Sequence, residues 1–271
     1  MRAAMRALSI VEVSMNRKIT FSLVPVVLLV AVLAAYFLYG RGNPHALWEI
    51  VSQRCVPDQT ANDKPDPCLK VDLAAQYVVL KDLRGPYHDL VMPTHRVTGI
   101  ESPLLQAAGA PSFFAAAWNE RGRLAQEFGR PIDDAYLSFA INSKYGRSQD
   151  QLHIHVSCLK PEVYHLLEGA QRDIGPDWAP LAQRINGHVY LAKRLGSDDL
   201  VRENPFRIVD AYARRREDSI AKFGLAVVRL RDGGMALLAN RLDVIPDFNW
   251  GSAEEIQDFT CAVVGGAAAH Q

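Results

Sequence analysis

The sequence predicts an α+β domain behind a single apolar N-terminal segment, and three observations carry that expectation. Strand-like apolar runs alternate with helical stretches, and hairpin–helix–hairpin recurs loosely along the chain. The run Gln151-Leu152-His153-Ile154-His155-Val156-Ser157 alternates as a strand does, with aliphatic side chains on one face and Gln151, His153 and His155 on the other. Ile19–Tyr39 is uncharged and apolar over about the ~20 residues that cross a bilayer. With 271 residues, 49% of them hydrophobic, and a formal net charge of zero, the chain is a folded protein rather than a disordered one. The balanced charge gives no support to nucleic-acid binding.

In chain order, residues 1–18 form a cytoplasmic segment carrying Arg2, Arg6, Arg17 and Lys18. Residues 19–39 read as an uncleaved single-pass anchor, because the run is longer than a signal-peptide core of roughly 7–15 residues. A cleaved signal ending at Ala34-Ala35 is the alternative. Positive charge before the run places the following residues outside the cytoplasm. After a 40–45 linker, Ala46–Gln53 reads as a short helix with Leu47, Ile50 and Val51 on one face. Cys55 and Cys68 bracket a Pro/Asp/Asn-rich segment, Val56–Pro67, expected as a loop. In an exported domain four cysteines point to two disulfides, of which Cys55–Cys68 is the first choice. Cys158–Cys261 follows only by elimination, and buried free thiols remain the alternative.

Gln76–Leu80 and Asp89–Pro93 are strand-like, joined by a loop through Gly85 and His88. Ser102-Pro103 opens a helical stretch that breaks at Gly109-Ala110-Pro111 and resumes at Ser112–Phe128. Ala135–Asn142 is a strand, Ser143–Asp150 a polar loop, and Lys160–Ala170 a helix. Asn204-Pro205 opens another helix through about Glu217. His188–Arg194, Gly224–Leu230 and Met235–Asn240 read as strands, the last two linked by the turn Asp232-Gly233-Gly234. The catalytic domain is thus expected over 46–271, with about 180–271 as either a degenerate second half or packing around the first.

The polar row Gln151, His153, His155 admits three readings. It is the solvated face of a sheet, or two ligands of a metal site, or the nucleophilic centre of phosphoryl chemistry. A metal needs a third ligand, and the sequence contains neither HExxH nor a Cys/His cluster; His88, His95 or Asp89 would have to be recruited by the fold. Nucleophilic catalysis needs a neutral imidazole to attack phosphorus, a partner to fix its tautomer, and donors for the phosphate oxygens. The row and the preceding loop, with Asn142, Lys144 and Ser148, supply these residue types.

Asn142-Ser-Lys-Tyr-Gly146-Arg-Ser148-Gln-Asp-Gln151-Leu-His153-Ile-His155-Val resembles the histidine triad superfamily of nucleotide hydrolases and transferases. The upstream Gly85-Pro-Tyr-His88-Asp-Leu-Val-Met-Pro93-Thr-His95 is similar to a second segment of that superfamily, with His88 near the nucleophile. Together with the anchor and Cys55…Cys68, these runs resemble its CDP-diacylglycerol pyrophosphatase branch, most closely over about Ala46–Leu167. The resemblance implies a HIT-like antiparallel sheet with flanking helices and cleavage of CDP-diacylglycerol to CMP and phosphatidate, with no cofactor and no required metal. It assigns His153 the central, nucleophilic position and His155 the third, with Gln151 standing where the superfamily has its first histidine. A glutamine there can orient but cannot exchange a proton. The alternative frame makes His155 central and Ser157 third. Asn142, Ser148, Lys144 and His88 are the expected substrate-binding residues. The resulting expectation is an anchored hydrolase of the bacterial inner membrane with its domain facing the periplasm. Transfer of CMP to another acceptor, and a nucleotide- or lipid-binding module without turnover, are the competing readings. Oligomeric state is not legible.

Overall fold

The computed structural model describes residues 25–31, 42–107 and 109–266. The chain divides into Met1–Gly42 and Asn43–Gln271. Most of the expected anchor, 19–39, lies outside the described residues; 25–31 is helical, with Val26–Val30 exposed. Among the described residues no helix is long and apolar enough to cross a membrane.

The second unit is built on one antiparallel sheet of ten strands. These are β1 (Lys70–Asp72), β2 (Tyr77–Lys81), β3 (His88–Pro93), β4 (Leu137–Ile141), β5 (Ile154–Leu159), β6 (Ala179–Pro180), β7 (Tyr190–Arg194), β8 (Phe223–Arg229), β9 (Met235–Arg241) and β10 (Gln257–Asp258). Their order is β1-β2-β3-β5-β4-β8-β9-β7-β6, with β10 paired to β5. The last third of the chain therefore continues the same sheet through the β4–β8 pairing. Hairpins join β2 to β3 and β8 to β9, the latter through Gly233 at φ +85°, a left-handed turn position that suits glycine.

β5 lies between β3 and β4, and every one of its residues is buried. Burial on both sides fixes its register: Leu90 and Ala140 stand opposite His155, while Ile154, Val156 and Cys158 point to the other face. That other face packs with Val79, Val91 and Phe139 against the helices Phe113–Glu120 and Gly122–Phe128 through Phe113, Phe114, Ala117 and Leu124. The His155 face carries a smaller cluster of Val78, Leu80, Leu90 and Met92 under Val51 and Cys55.

Two local expectations change. The strand begins at Ile154, so Gln151 and His153 both precede it, and of the three only His155 lies on the ladder; Gln151 in particular leaves the shared face. Its side-chain amide instead donates to Pro93 O (3.1 Å) and His95 O (3.0 Å) and accepts from Val97 N (3.3 Å). Three backbone partners hold the buried amide in place of the ladder. The segment after Cys55 is helical over Val56–Asn62, not a loop. The polar residues expected to break it bond one turn apart, Asn62 to Asp58 and Gln59 to Asp63, and the helix ends at Asp63 with φ 53°.

The structure pairs Cys55 with Cys68 and Cys158 with Cys261. The first fastens the N-terminal helix beside β1; the second fastens the segment after β10 to the centre of the sheet. The two bridges close loops of 13 and 103 residues. Loop-closure entropy then predicts losses of about 3 kcal/mol for Cys55→Ser/Cys68→Ser and about 4–5 kcal/mol for Cys158→Ser/Cys261→Ser. Denaturant unfolding of the two double variants checks the order, and equal losses would show that native packing outweighs loop length.

Candidate active site

The site forms where β3 and β5 run side by side and two loops close over them. His155 is fixed by the ladder. The His153 ring, two residues earlier, stands with its centroid 4.8 Å from that of His155. His153 Nδ1 is 2.6 Å from Gln151 O. A carbonyl only accepts, so the proton sits on Nδ1 and Nε2 keeps its lone pair. Gln151 thus matters twice: its amide staples the 93–97 segment, and its carbonyl sets the His153 tautomer.

A second chain of contacts runs through His155. The backbone carbonyl of Arg84 receives His88 Nδ1–H at 3.2 Å, which leaves His88 Nε2 to accept from His155 Nδ1–H at 2.9 Å. Asp82 Oδ1 lies 3.6 Å from His88 Nδ1. His155 Nε2 lies 2.9 Å from Glu254 Oε2, and Glu254 is gripped by both Arg84 guanidinium nitrogens at 3.1 and 3.2 Å. With Nδ1–H given to His88, His155 Nε2 carries a proton only when the ring is the imidazolium, the form that pairs with the Glu254 carboxylate, although that carboxylate lies out of line with the Nε2–H. A buried donor left in this state is suited to an oxygen that enters the site.

The electrostatics follow from burial. Burial, reinforced by the neighbouring His155 ring, pushes His153 down to about 3 and His88 down to about 4. Both rings are therefore neutral near pH 7. Burial works against the charge of Glu254, but His155 and Arg84 outweigh it and hold the carboxyl well below the usual carboxylate range. Burial likewise opposes the charge of Asp82, and Arg84, through its backbone N–H at 2.7 Å and its guanidinium, keeps the carboxyl lowered.

Several of these groups line a cavity of about 650 Å³. Asp82, Arg84, Ser148, His153 and His155 form its polar side, and Leu47, Ile50, Leu80, Leu83 and Leu90 its apolar side. A slightly larger hollow of about 710 Å³ beside the helix Pro161–Ala170 contains none of the catalytic candidates.

The expected residues separate into distinct positions. His153, His155 and His88 come together, and Ser148 reaches the cavity. Asn142 is buried behind it, where its Oδ1 accepts from Ser252 Oγ (3.2 Å) and Glu254 N (3.1 Å), so it positions the Glu254 loop rather than touching the cavity. Lys144 is exposed and outside the cavity lining. Among the described residues the one His/Cys/Asp/Glu cluster with metal-ligand spacing is Asp82, His88 and His155, each with a donor atom within 4.8 Å of the others. Asp89, one of the alternative ligands, sits near Lys81 and Arg123 instead.

Sequence reasoning missed Asp82, Arg84, Glu254 and Phe259. Arg84 and Asp82 precede the Gly85–His95 run, and the signal for them was there: an Asp and an Arg in the loop entering a His-bearing strand. Glu254 carries no such signal, because the fold brings it from 99 positions beyond His155. Phe259 stacks on His88 with centroids 3.9 Å apart and planes within 2°. Gly85 lets this happen: its φ is +76°, and a Cβ there would lie 2.4 Å from that of Phe259. Gly146 does the same for the other loop, since a Cβ would come within 2.9 Å of Trp250 O.

The sequence model of the family described as CDP-diacylglycerol pyrophosphatase matches residues 42–265. A protein of Yersinia pestis named CDP-diacylglycerol pyrophosphatase is 42% identical over 239 residues, 88% of this chain and 92% of that protein. The crystal structure of a DUF4931 family protein from Bacillus cereus aligns at 12% identity with a TM-score of 0.46, over 75% of this chain and 99% of that one, too distant a likeness to bear on the site. The match over nearly all of the second unit, and the identity with the Yersinia protein, place this chain in the CDP-diacylglycerol pyrophosphatase family of hydrolases.

Proposed function

We propose that the chain cleaves CDP-diacylglycerol to CMP and phosphatidate through a CMP–histidine intermediate on His153, while anchored to a bilayer by Ile19–Tyr39. One observation carries the chemistry: a buried, neutral imidazole whose Nδ1 is engaged by Gln151 O, leaving the Nε2 lone pair free beside a cavity. The His153 Nε2 pair attacks the phosphorus attached to the cytidine ribose. An N–P bond forms as the bond from that phosphorus to the bridging oxygen breaks, and phosphatidate leaves with the electron pair. The His155 imidazolium gives its Nε2 proton to the departing oxygen and becomes the neutral ring, its Nδ1–H still on His88. Water then attacks the same phosphorus, the P–N pair returns to His153, and the proton of the water restores His155.

Glu254 and Arg84 hold the His155 end of this arrangement, and Arg84, at the cavity wall, balances phosphate charge. Tethering suits a substrate that stays in the bilayer, because it keeps the site at a high effective concentration beside the headgroup. The positive residues before the apolar run and the two disulfides fit a domain on the periplasmic, oxidising side of an inner membrane.

The intermediate is tested by acid-free quenching with substrate labelled in the CMP phosphate. Acid-labile label is expected on wild type and His155→Ala and none on His153→Ala, whose kcat falls on the order of 10³-fold or more. Label retained on His153→Ala and lost from His155→Ala would shift the nucleophile to His155. Turnover should persist in chelator; loss of activity with rescue by Zn²⁺ would instead put the reaction on a metal held by Asp82, His88 and His155.

The pH profile gives an independent check. The active form of His153 is the neutral ring, and its pKa is lowered to about 3. An ordinary imidazole near 6.5 would be only about 3% neutral at pH 5. In kcat/KM, the acid limb due to this ring should therefore lie well below pH 5, with little loss between pH 7 and pH 5. A tenfold fall centred near pH 6.5 would show that the nucleophile is not buried as described.

A further inference from the structure

Among the described residues of the second unit, the exposed large apolar side chains are unevenly spread. Four of them, Tyr145 (46% exposed), Ile245 (85%), Phe248 (76%) and Trp250 (49%), sit on two loops that touch each other. The loop carrying Ile245 and Phe248 is closed at its base by paired Asp243–Asn249 backbone hydrogen bonds, both 2.8 Å, with Trp250 just beyond the closure, and Phe248 N donates to Val244 O. Its tip is thus held in shape while its apolar residues face water. Phe248 has φ 50°, a left-handed conformation unfavourable for an aromatic residue. A rigid loop that spends backbone strain to expose a phenyl ring beside an isoleucine and an indole reads as an interaction surface.

Two connections link this surface to the site. The same segment continues into Ser252 and Glu254, both bound to Asn142, so the loop has an apolar tip at one end and the carboxylate that holds His155 at the other. Tyr145 belongs to the loop that leads through Ser148 and Gln149, at the cavity, to His153. Gly146 of that loop lies against Trp250 O, and Ser143 Oγ donates to the same carbonyl at 2.6 Å.

The chain itself indicates what covers the surface. Asn43 and Pro44, the first residues of the second unit, are bound to this same loop: Gln149 Nε2 donates to Asn43 O at 2.9 Å, and Asp150 N to Pro44 O at 2.6 Å. The apolar run ends at Tyr39, and the four steps from there to Asn43 reach no farther than about 14 Å. If that run lies in a bilayer, Asn43 can stand no farther than this from its end, and Gln149 and Asp150 are hydrogen-bonded to Asn43 and Pro44. Tyr and Trp are the side chains that favour the headgroup region, and Phe and Ile those that reach the acyl boundary.

We infer that Tyr145, Ile245, Phe248 and Trp250 form a face that docks on the lipid bilayer and sets the mouth of the active site at headgroup depth. The inference rests on the anchored lipid-hydrolase reading and adds to it a second, non-covalent contact with the membrane.

The test uses the full-length chain in phosphatidylcholine vesicles containing CDP-diacylglycerol, beside a short-chain, water-soluble CDP-diacylglycerol. The variant Ile245→Ser/Phe248→Asn removes both tip side chains, and asparagine tolerates the left-handed backbone. It should lose tenfold or more in kcat/KM on the vesicle substrate, stay within twofold on the soluble one, and keep its thermal midpoint. Equal losses on both substrates, meaning that the tip serves only to hold Glu254, would overturn the inference, and so would no loss on vesicles. Brominated lipid should also quench a share of tryptophan fluorescence that Trp250→Phe abolishes; no difference between the two proteins would count against docking. Loss of a dimer in the tip variant, with vesicle turnover intact, would assign the face to a second copy of the chain instead. Wild-type protein inert toward both substrates would sink the hydrolase reading, and the quenching result would then decide docking alone.

Discussion

Three buried imidazoles pack together beside the cavity, and an added positive charge on any one of them raises the cost of charging the others. That mutual constraint organises the site. It leaves His153 and His88 uncharged and makes the surrounding acceptors, rather than titration, decide where each proton sits. Two backbone carbonyls, Gln151 O and Arg84 O, do most of this, because an acceptor without a proton fixes the tautomer of the ring it faces. The carboxylate of Glu254 supplies compensating charge from the far side of His155, held in turn by Arg84.

The sheet is what keeps such a cluster from relaxing. His155 cannot swing away, since its backbone is laddered on both sides and Gln257 donates from above to its carbonyl and to Ser138. His88 is held by Phe259 stacked on its face and by the hydrogen bond to His155 at its edge. Buried polar groups are tolerated here because nearly all of them are paired. The exceptions include His155 Nε2 at the cavity.

How much of this was readable beforehand depends on the range of the interaction. The histidine strand, the β8–β9 hairpin and the Pro161 and Asn204-Pro205 helix starts are local, set by alternation, turn residues and caps, and they stand close to where the sequence puts them. The amide of Gln151 leaves the face that alternation predicts because the strand starts three residues later, a boundary that depends on the 93–97 backbone and not on the run itself. Asn142 sits at the end of the expected strand, but its role behind Glu254 required knowing which distant loop would arrive there. Arg84 and Glu254 meet across 170 positions, and no periodicity in one sequence announces such a pair.

Because residues from the β2–β3 loop, from β5 and from the segment around β10 must all arrive before the site exists, turnover reports on the tertiary structure as a whole. The Cys158–Cys261 bridge makes this concrete: it ties the strand bearing His155 to the stretch bearing Glu254 and Phe259. Random mutagenesis scored by lost activity will therefore return many positions that never come near a phosphate, and sorting them needs a folding measurement alongside the kinetic one.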